Sequence, residues 1–480
     1  MKNSVVLVSG HFNILHPGHQ RLLKFAKEAG KKLIVAVESD RLAGAAAHIS
    51  EDLRLEGIKS CLYVDDAFIY DEDIVEVIKK LKPDLVVKGK EFENRVNFEL
   101  EVLSEYGGQL IFSSGDSRFS SLDLIKRESF GHTQIDLSRA SSFKVRNLIN
   151  HESFLKITDE FRHLNVIVIG DLIVDEYITC EPLGMSQEDP TIVVTPVDSS
   201  CFIGGAGIVA AHAKGLGATV EFLTVTGDDH LHNFCLKKFK EYGVNSHLFK
   251  DMSRPTTLKQ RFRCNGKSLL RVSQLREAGI SSDLQKEILQ IVKEKIIDAD
   301  LLVFSDFNYG CLPTEFVHQI FKIASKYNVL MVADSQSSSQ IGDIGRFSNM
   351  HLITPTEREA RISVRDNESG LVILAEKLLQ QANAKNIFLK MGEEGVLVFG
   401  HANDGNIITD QIPALNIHPR DVAGAGDSLL VVSAMSIACG ANIMEAAYIG
   451  SIAAAIQVGR MGNIPITASE IKSLLSDLPK

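Results

Sequence analysis

Asp421-Val422-Ala423-Gly424-Ala425-Gly426-Asp427-Ser428 is the stretch on which the reading of this chain turns. A loop containing Pro, Asn and His precedes it, and a run of small and apolar residues, 429–439, follows. That order predicts a loop running into a helix N-terminus. Gly424 and Gly426 carry no Cβ, so backbone there can approach a ligand closely. The first turn of a helix has unpaired N–H groups and the positive end of a dipole, which suits an anion. The amides of Ala423, Gly424, Ala425 and Gly426 therefore predict an anion hole. Asp427 falls in that first turn, and a carboxylate beside a bound phosphate makes chemical sense as a base or a metal partner.

Working outward, 480 residues exceed one ordinary domain and predict two or three. A hydrophobic content of 45% and a charged content of 23% are those of a soluble globular protein. A net charge of −10 argues against nucleic acid as a partner, while leaving room for a local basic pocket. Cys61, Cys180, Cys201, Cys235, Cys264, Cys311 and Cys439 are scattered, with no C-x-x-C pair, and predict reduced cytoplasmic thiols. The N-terminus reads as a strand and not a signal peptide. No apolar run is long enough to predict a membrane span.

In the N-terminal third, strand 5–8 leads into Gly10-His11-Phe12-Asn13-Ile14-Leu15-His16-Pro17-Gly18-His19. A helix over 18–29 and a strand over 33–37 complete a βαβ unit with parallel strands. Ligands bind at the carboxyl ends of strands in such sheets, which is where His16 and His19 fall. Two imidazoles three residues apart at a helix start can donate to phosphate oxygens and stabilise growing charge. Gly18 keeps the backbone clear.

This H-x-G-H pattern after a strand resembles the nucleotidyltransferase superfamily of cytidylyltransferases and adenylyltransferases. Glu38-Ser39-Asp40, Pro83-Asp84-Leu85-Val86-Val87-Lys88-Gly89 and Phe119-Ser120-Ser121 resemble further motifs of that superfamily, and Arg54 matches a helix arginine in it. The resemblance implies catalytic His16 and His19. It also implies nucleotide contacts at Gly10, Phe12, Gly18, Asp40, Arg54, Lys88, Gly89, Ser120 and Ser121. Between 136 and 150 the pattern loosens, and a linker is predicted between domains 1–135 and 151–480.

From Val166 the alternation restarts. Strands are expected near 166–170, 220–225, 301–305, 329–333, 351–354 and 386–390, with helices between most of them. Segments 177–203 and 257–273 predict β-rich excursions. With its leading Asp421, the 421–428 stretch resembles the signature of the ribokinase/PfkB sugar kinases, which implies that Asp427 deprotonates the sugar hydroxyl. Gly170-Asp171-Leu172-Ile173-Val174-Asp175 and Gly204-Gly205 resemble that family's sugar-binding motifs. Lys390 and Gly392 resemble its nucleotide-side hairpin. Glu359 resembles the acid of its Asn-x-x-Glu element, a contact to Mg²⁺ through phosphate or water. Lys259 and Arg261 lie in a basic strand pair that in heptose-phosphate kinases faces the sugar's own phosphate. Departures stand beside these matches: Ile208 replaces an expected Asn, and Thr356 replaces the Asn of Asn-x-x-Glu.

The expected fold is α/β throughout, with a Rossmann-like nucleotidyltransferase first and a ribokinase-like domain with a β lid second. A sugar kinase joined to a nucleotidyltransferase resembles the bifunctional heptose-7-phosphate kinase/heptose-1-phosphate adenylyltransferases, with the domain order reversed. The resemblance implies ATP-dependent phosphorylation of a sugar, then nucleotidyl transfer to the sugar 1-phosphate, both with Mg²⁺. The base and the sugar stay open: CTP on another sugar or polyol is an alternative to ATP. So is a catalytically weak sugar-binding module that regulates the transferase. The partners are small sugar phosphates and nucleoside triphosphates, in a homodimer or higher homo-oligomer through the lid.

Overall fold

The computed structural model describes residues 4–13, 15, 17–44, 47–89, 97–113, 135–186, 188–264, 267–337, 342–401 and 407–476. The chain divides into two compact units, Met1–His132 and Thr133–Lys480.

The first unit holds five parallel strands: β1 (Val5–Gly10), β2 (Lys32–Glu38), β3 (Asp66–Tyr70), β4 (Leu85–Gly89) and β5 (Gln109–Ser113). Their order is β3-β2-β1-β4-β5. Val6 and Val8 enter one apolar cluster with Leu23, Val35 and Val37, while Leu7 enters another with Ile34, Ala36 and Ile78. Alternate side chains of β1 thus face opposite helical layers, which is why its whole run is apolar. Helix α1 (Pro17–Ala29) follows β1 directly, and α2 (Glu51–Lys59) lies between β2 and β3. β1 pairs with β2 on one side and β4 on the other. The connections therefore diverge at the carboxyl ends of β1 and β4, the place where open α/β sheets bind ligands.

The second unit opens with a correction. Residues 136–150, expected as a linker, form a 3-10 turn, Leu137–Ala140, and a short helix, α3 (Ser141–Arg146). Ala140, Phe143 and Ile149 are buried in the unit's main core beside Phe154. Polar Ser138, Arg139, Ser141 and Ser142 mask this in sequence, but Ala140 and Phe143 are three apart and share one helical face.

Nine strands make the main sheet of this unit: β6 (Asn165–Gly170), β9 (Thr219–Thr226), β10 (Asn245–Lys250), β13 (Leu301–Asp306), β14 (Leu330–Ser335), β15 (Leu352–Ile353), β16 (Asn386–Lys390), β17 (Val396–His401) and β18 (Ile407–Ile412). The order is β10-β9-β6-β13-β14-β15-β16-β17-β18, parallel as far as β16 and antiparallel beyond it. The two β-rich excursions are β7 (Leu172–Met185) with β8 (Ile192–Gly205), and β11 (Leu258–Cys264) with β12 (Lys267–Gln274). They form a separate four-stranded sheet, β12-β11-β7-β8. In it Asp175 lies opposite Lys259 and Tyr177 opposite Arg261, while Arg261 lies opposite Arg271. Side chains alternate along strands, so this register puts Ile173, Asp175, Tyr177, Lys259 and Arg261 on one face.

Helix α4 (Ala206–Gly215) follows β8, and α5 (Glu357–Val364) follows β15. Helices α6 (Ala425–Ala438) and α7 (Ile443–Val458) are apolar nearly all round and buried as a pair. A helix apolar on all faces belongs in a core. α6 therefore holds its N-terminus rigidly. Among the described residues no helix is long and apolar enough to cross a membrane.

Candidate active sites

In the second unit, the lid face, the carboxyl ends of β14 and β16, and the start of α6 enclose a cavity of about 530 Å³. Gly424 caps α6 with φ of 77°, in the left-handed region where glycine is favoured. A Cβ there would come within 2.6 Å of Asn463 Oδ1. Ala423, Gly424 and Gly426 line the cavity with Asp427, as their place at the loop-to-helix junction predicts.

Asp427 is 5% exposed, and its Oδ1 is buried without a hydrogen-bond partner among the described residues. Burial, with the Asp334 carboxylate nearby, pushes its pKa up to about 7, against the pull of Lys390. An unpartnered carboxylate oxygen poised near neutrality, facing a cavity, is equipped to take a proton. Lys390 ends β16 and holds both oxygens of Asp334 at 2.9 Å. Burial opposes its charge, and Asp334 and Glu359 more than offset that, so its pKa is raised and the ammonium persists.

The acceptor end of the cavity is built on the lid. Asp175 accepts from Arg261 Nη2 and from Asn463 Nδ2, each at 3.2 Å. A Cβ at Gly204 would lie 2.3 Å from Asp175 Oδ2, so the glycine makes room for this carboxylate. Gly205 lies on the cavity wall beside it. The Lys259 ammonium sits over the rings of Phe307 and Tyr309, at 5.2 and 5.1 Å. Arg261 and Arg271 line the same end.

Asp171 departs from its expected role. It is not on the cavity wall, and it accepts from the backbone N–H groups of Phe307, Tyr309 and Cys311 at 2.8, 3.2 and 3.1 Å. Burial and the Asp306 carboxylate push its pKa up to about 6 against those donors. Its work is to hold the 307–311 loop whose Phe307 meets the ligand space. Glu359 lines the cavity, but its oxygens accept from the N–H groups of Ser337 and Thr356 at 2.9 and 2.7 Å. Thr356 returns a hydroxyl bond to Glu359 N, so the substituted Thr completes a capping box for α5. Ile208 is fully buried on α4 and does not line the cavity. Asn463, which carries no motif, is the wall residue that sequence reading missed.

Across Gly426 lies a second, mostly apolar hollow of about 150 Å³. Lys390, Gly392, Pro413, Leu415, Ala425 and Val458 are among its lining, and Lys390 and Gly426 border both spaces.

In the first unit, Gly10 ends β1, and Phe12 follows with φ of 48°, its ring edge-on to His19 at 5.2 Å. His19 lies in the first turn of α1, and Gly18 just before it. Lys88 and Gly89 end β4, the strand next to β1. The Lys88 ammonium binds Glu99 at 2.6 Å and Asn97 at 3.0 Å. Arg54, expected as a phosphate contact, is 2% exposed and spent internally. It donates to Asp40 at 2.6 Å, to the His11 carbonyl at 2.7 Å and to the Ile49 carbonyl at 2.8 Å. Its hydrogen bond holds the Asp40 carboxyl below the usual range. The pair thus braces the loop after β1 against the end of β2. His16, Ser120 and Ser121 lie outside the described residues.

Comparison with known proteins follows the same division. The cytidylyltransferase-like family matches residues 7–147, which reaches past the contact boundary into the segment that packs on the second unit. Among curated relatives, the Bifunctional protein HldE of Geobacter metallireducens is 29% identical over 65% of this chain and 62% of its own length. That of Helicobacter hepaticus is 30% identical over 67% of this chain and 65% of its own. The chain thus spans under two thirds of the length of these relatives. Among solved structures, phosphofructokinase-2 from Escherichia coli aligns with a TM-score of 0.54 at 15% identity, over 65% of this chain and 98% of that one. Ribokinase from Thermotoga maritima aligns at 0.50 and 20% identity, over 65% and 99%. Those likenesses establish the fold of the second unit. The pfkB carbohydrate kinase family itself matches residues 164–469, more than half of the sequence, and this chain belongs to it.

Proposed function

We propose that the chain makes a nucleotide-activated sugar in two steps, phosphorylating a sugar phosphate at C1 and then transferring AMP from ATP to the product with release of pyrophosphate. The observation that carries the first step is the polarity of the cavity: Asp427 and the Gly424–Gly426 corner at one end, Lys259, Arg261 and Arg271 at the other. Arg261 and Arg271 are directly opposed across a strand pair. Like charges so placed repel, and a dianionic phosphate between them removes the penalty. The acceptor is therefore a phosphorylated sugar, in keeping with a heptose 7-phosphate. Its C1 hydroxyl meets Asp427, which takes the proton as the oxygen attacks the γ-phosphorus and ADP leaves. The α6 amides and Lys390 receive the phosphoryl charge. The apolar hollow across Gly426 suits the base of ATP.

Among the described residues no group of three or more His, Cys, Asp or Glu side chains is disposed to hold a metal. That fits Mg²⁺ carried in by ATP, since this ion keeps its waters and leans on substrate phosphates. Glu359, with backbone donors on both oxygens, would reach it through water, and the ion would neutralise polyphosphate charge. The second step belongs to the carboxyl ends of β1 and β4, with His16 and His19 on the triphosphate. The exposed apolar residues of the lid, Leu183, Met185, Ile192 and Leu270, support a homo-oligomer through that sheet. Seven free cysteines suit a reducing cytoplasm.

Two measurements test this reading. Arg271→Ala should raise KM for the sugar phosphate by roughly 10- to 100-fold, the scale of one charged hydrogen bond, and leave an unphosphorylated sugar unaffected. An equal loss on both sugars would remove the phosphate assignment. His19→Ala should slow pyrophosphate release by about 10²-fold with ADP formation intact. Running both ATP and CTP against a panel of sugar 1-phosphates identifies the donor.

A further inference from the structure

We infer that Tyr177 is a positioning residue: its hydroxyl, acting through Asp421, sets the loop that presents the anion-binding amides. The inference rests on the kinase reading above. Tyr177 stands on lid strand β7, and its hydroxyl donates to Asp421 Oδ2 at 2.6 Å. Burial and that bond raise the phenol's pKa, so it stays a donor. Asp421 in turn accepts from Ala423 N at Oδ1, 3.1 Å, and from Gly462 N at Oδ2, 3.2 Å. One carboxylate therefore fastens the residue that opens the anion hole, the turn before Asn463, and the lid.

The contacts close into a ring. Asn463 donates to Asp175, Asp175 pairs with Arg261, and the Arg261 guanidinium lies over the Tyr177 ring at 5.3 Å. Arg263 lies over the same ring at 5.6 Å, and Phe202 meets it edge-on at 5.4 Å. The phosphate end and the acceptor end of the cavity thus share one aromatic residue. If Tyr177 only packed the lid, its ring would suffice and its hydroxyl would need no charged partner. The short bond to Asp421 gives the hydroxyl a separate task, which is to hold the Ala423 amide where transferred charge develops. Misplacing such a donor affects turnover more than ground-state binding.

Tyr177→Phe keeps the ring and its cation contacts and removes the latch. In the full chain it should lower kcat for ADP formation by about 10-fold or more, with KM for the sugar phosphate moving less than about threefold. Amide exchange in peptides covering 421–427 and 460–463 should quicken. Asp421→Asn, which keeps the shape, should reproduce both effects and serves if the Phe variant folds poorly. Wild-type kcat and exchange in Tyr177→Phe would overturn the inference, as would a rise in KM alone. If the wild type makes no ADP from any sugar phosphate, the kinase reading fails by itself. Amide exchange then still decides the latch: unchanged exchange at 421–427 removes it.

Discussion

Asp427→Asn should bind ATP and the sugar phosphate as the wild type does and lose phosphoryl transfer by about 10²- to 10⁴-fold, the range for a positioned base. The side chain keeps its volume, so the buried start of α6 is undisturbed. What is lost is a carboxylate oxygen with no internal partner, facing the cavity beside the anion-binding turn. The pH profile gives a second signature. Burial and Asp334 push Asp427 up to about 7, so a base there is protonated in mild acid. Wild-type kcat/KM should rise with pH through that value and level off above it, and the variant should lack the limb.

Stability moves the other way. Between the ordinary value of 3.8 and about 7, the folded state binds the proton that the unfolded state has released. Stability due to this group therefore falls as pH rises through that window. Asp427→Asn should lack this fall in urea titrations at stepped pH. Wild-type turnover in the variant would make Asp427 a structural acid. Pyrophosphate release by the first unit serves as the internal control in the same preparation.

Local sequence carried much of this site, and the missing parts share a cause. The turn before α6 was legible because glycine spacing, a first-turn carboxylate and an apolar helix lie within a few residues of one another. The lid was legible because β-branched and basic residues alternate at strand spacing. Asp171 was misassigned since nothing in Gly-Asp-x-x-x-Asp tells which carboxylate faces ligand; three backbone amides from a loop about 140 residues later decide it. Arg54 looks the same in sequence whether its guanidinium meets a phosphate or Asp40 and two carbonyls. Asn463 and Tyr177 act through partners remote in the chain, and no periodicity reports such pairs. Thr356 read as a loss, yet a threonine caps a helix as well as an asparagine does, and Glu359 stays in place.

A fragment beginning at residue 150 should fail to fold stably, whereas one beginning at 133 should fold. The spacing of Gly, Ser and charge had suggested a cut on either side of 136–150. The packing places the cost there. Phe143 is 1% exposed and Ala140 fully buried, both in the core that also holds Phe154, Tyr448 and α7. Removing one buried Phe side chain costs about 3–5 kcal/mol, to be set against a total stability of about 5–15 kcal/mol for a domain. The truncation removes Ala140 and Ile149 as well, and it strips further ties. Asp136 N donates to the Leu415 carbonyl at 2.8 Å, and Arg146 pairs with Asp410 at 2.7 Å. Arg139 reaches the Ala414 carbonyl, and Asn147 reaches Asp410. Ala414, Leu415 and Asn416 line the hollow assigned to the base, so a surviving fragment should also bind ATP more weakly. Thermal melts and ATP titrations of the 133–480 and 150–480 fragments check this directly. Equal melting temperatures would mean that the segment decorates the second unit without supporting it. A 1–135 fragment lacks residues 136–147 of the cytidylyltransferase-like match, so its nucleotidyl transfer should fall even if it stays soluble.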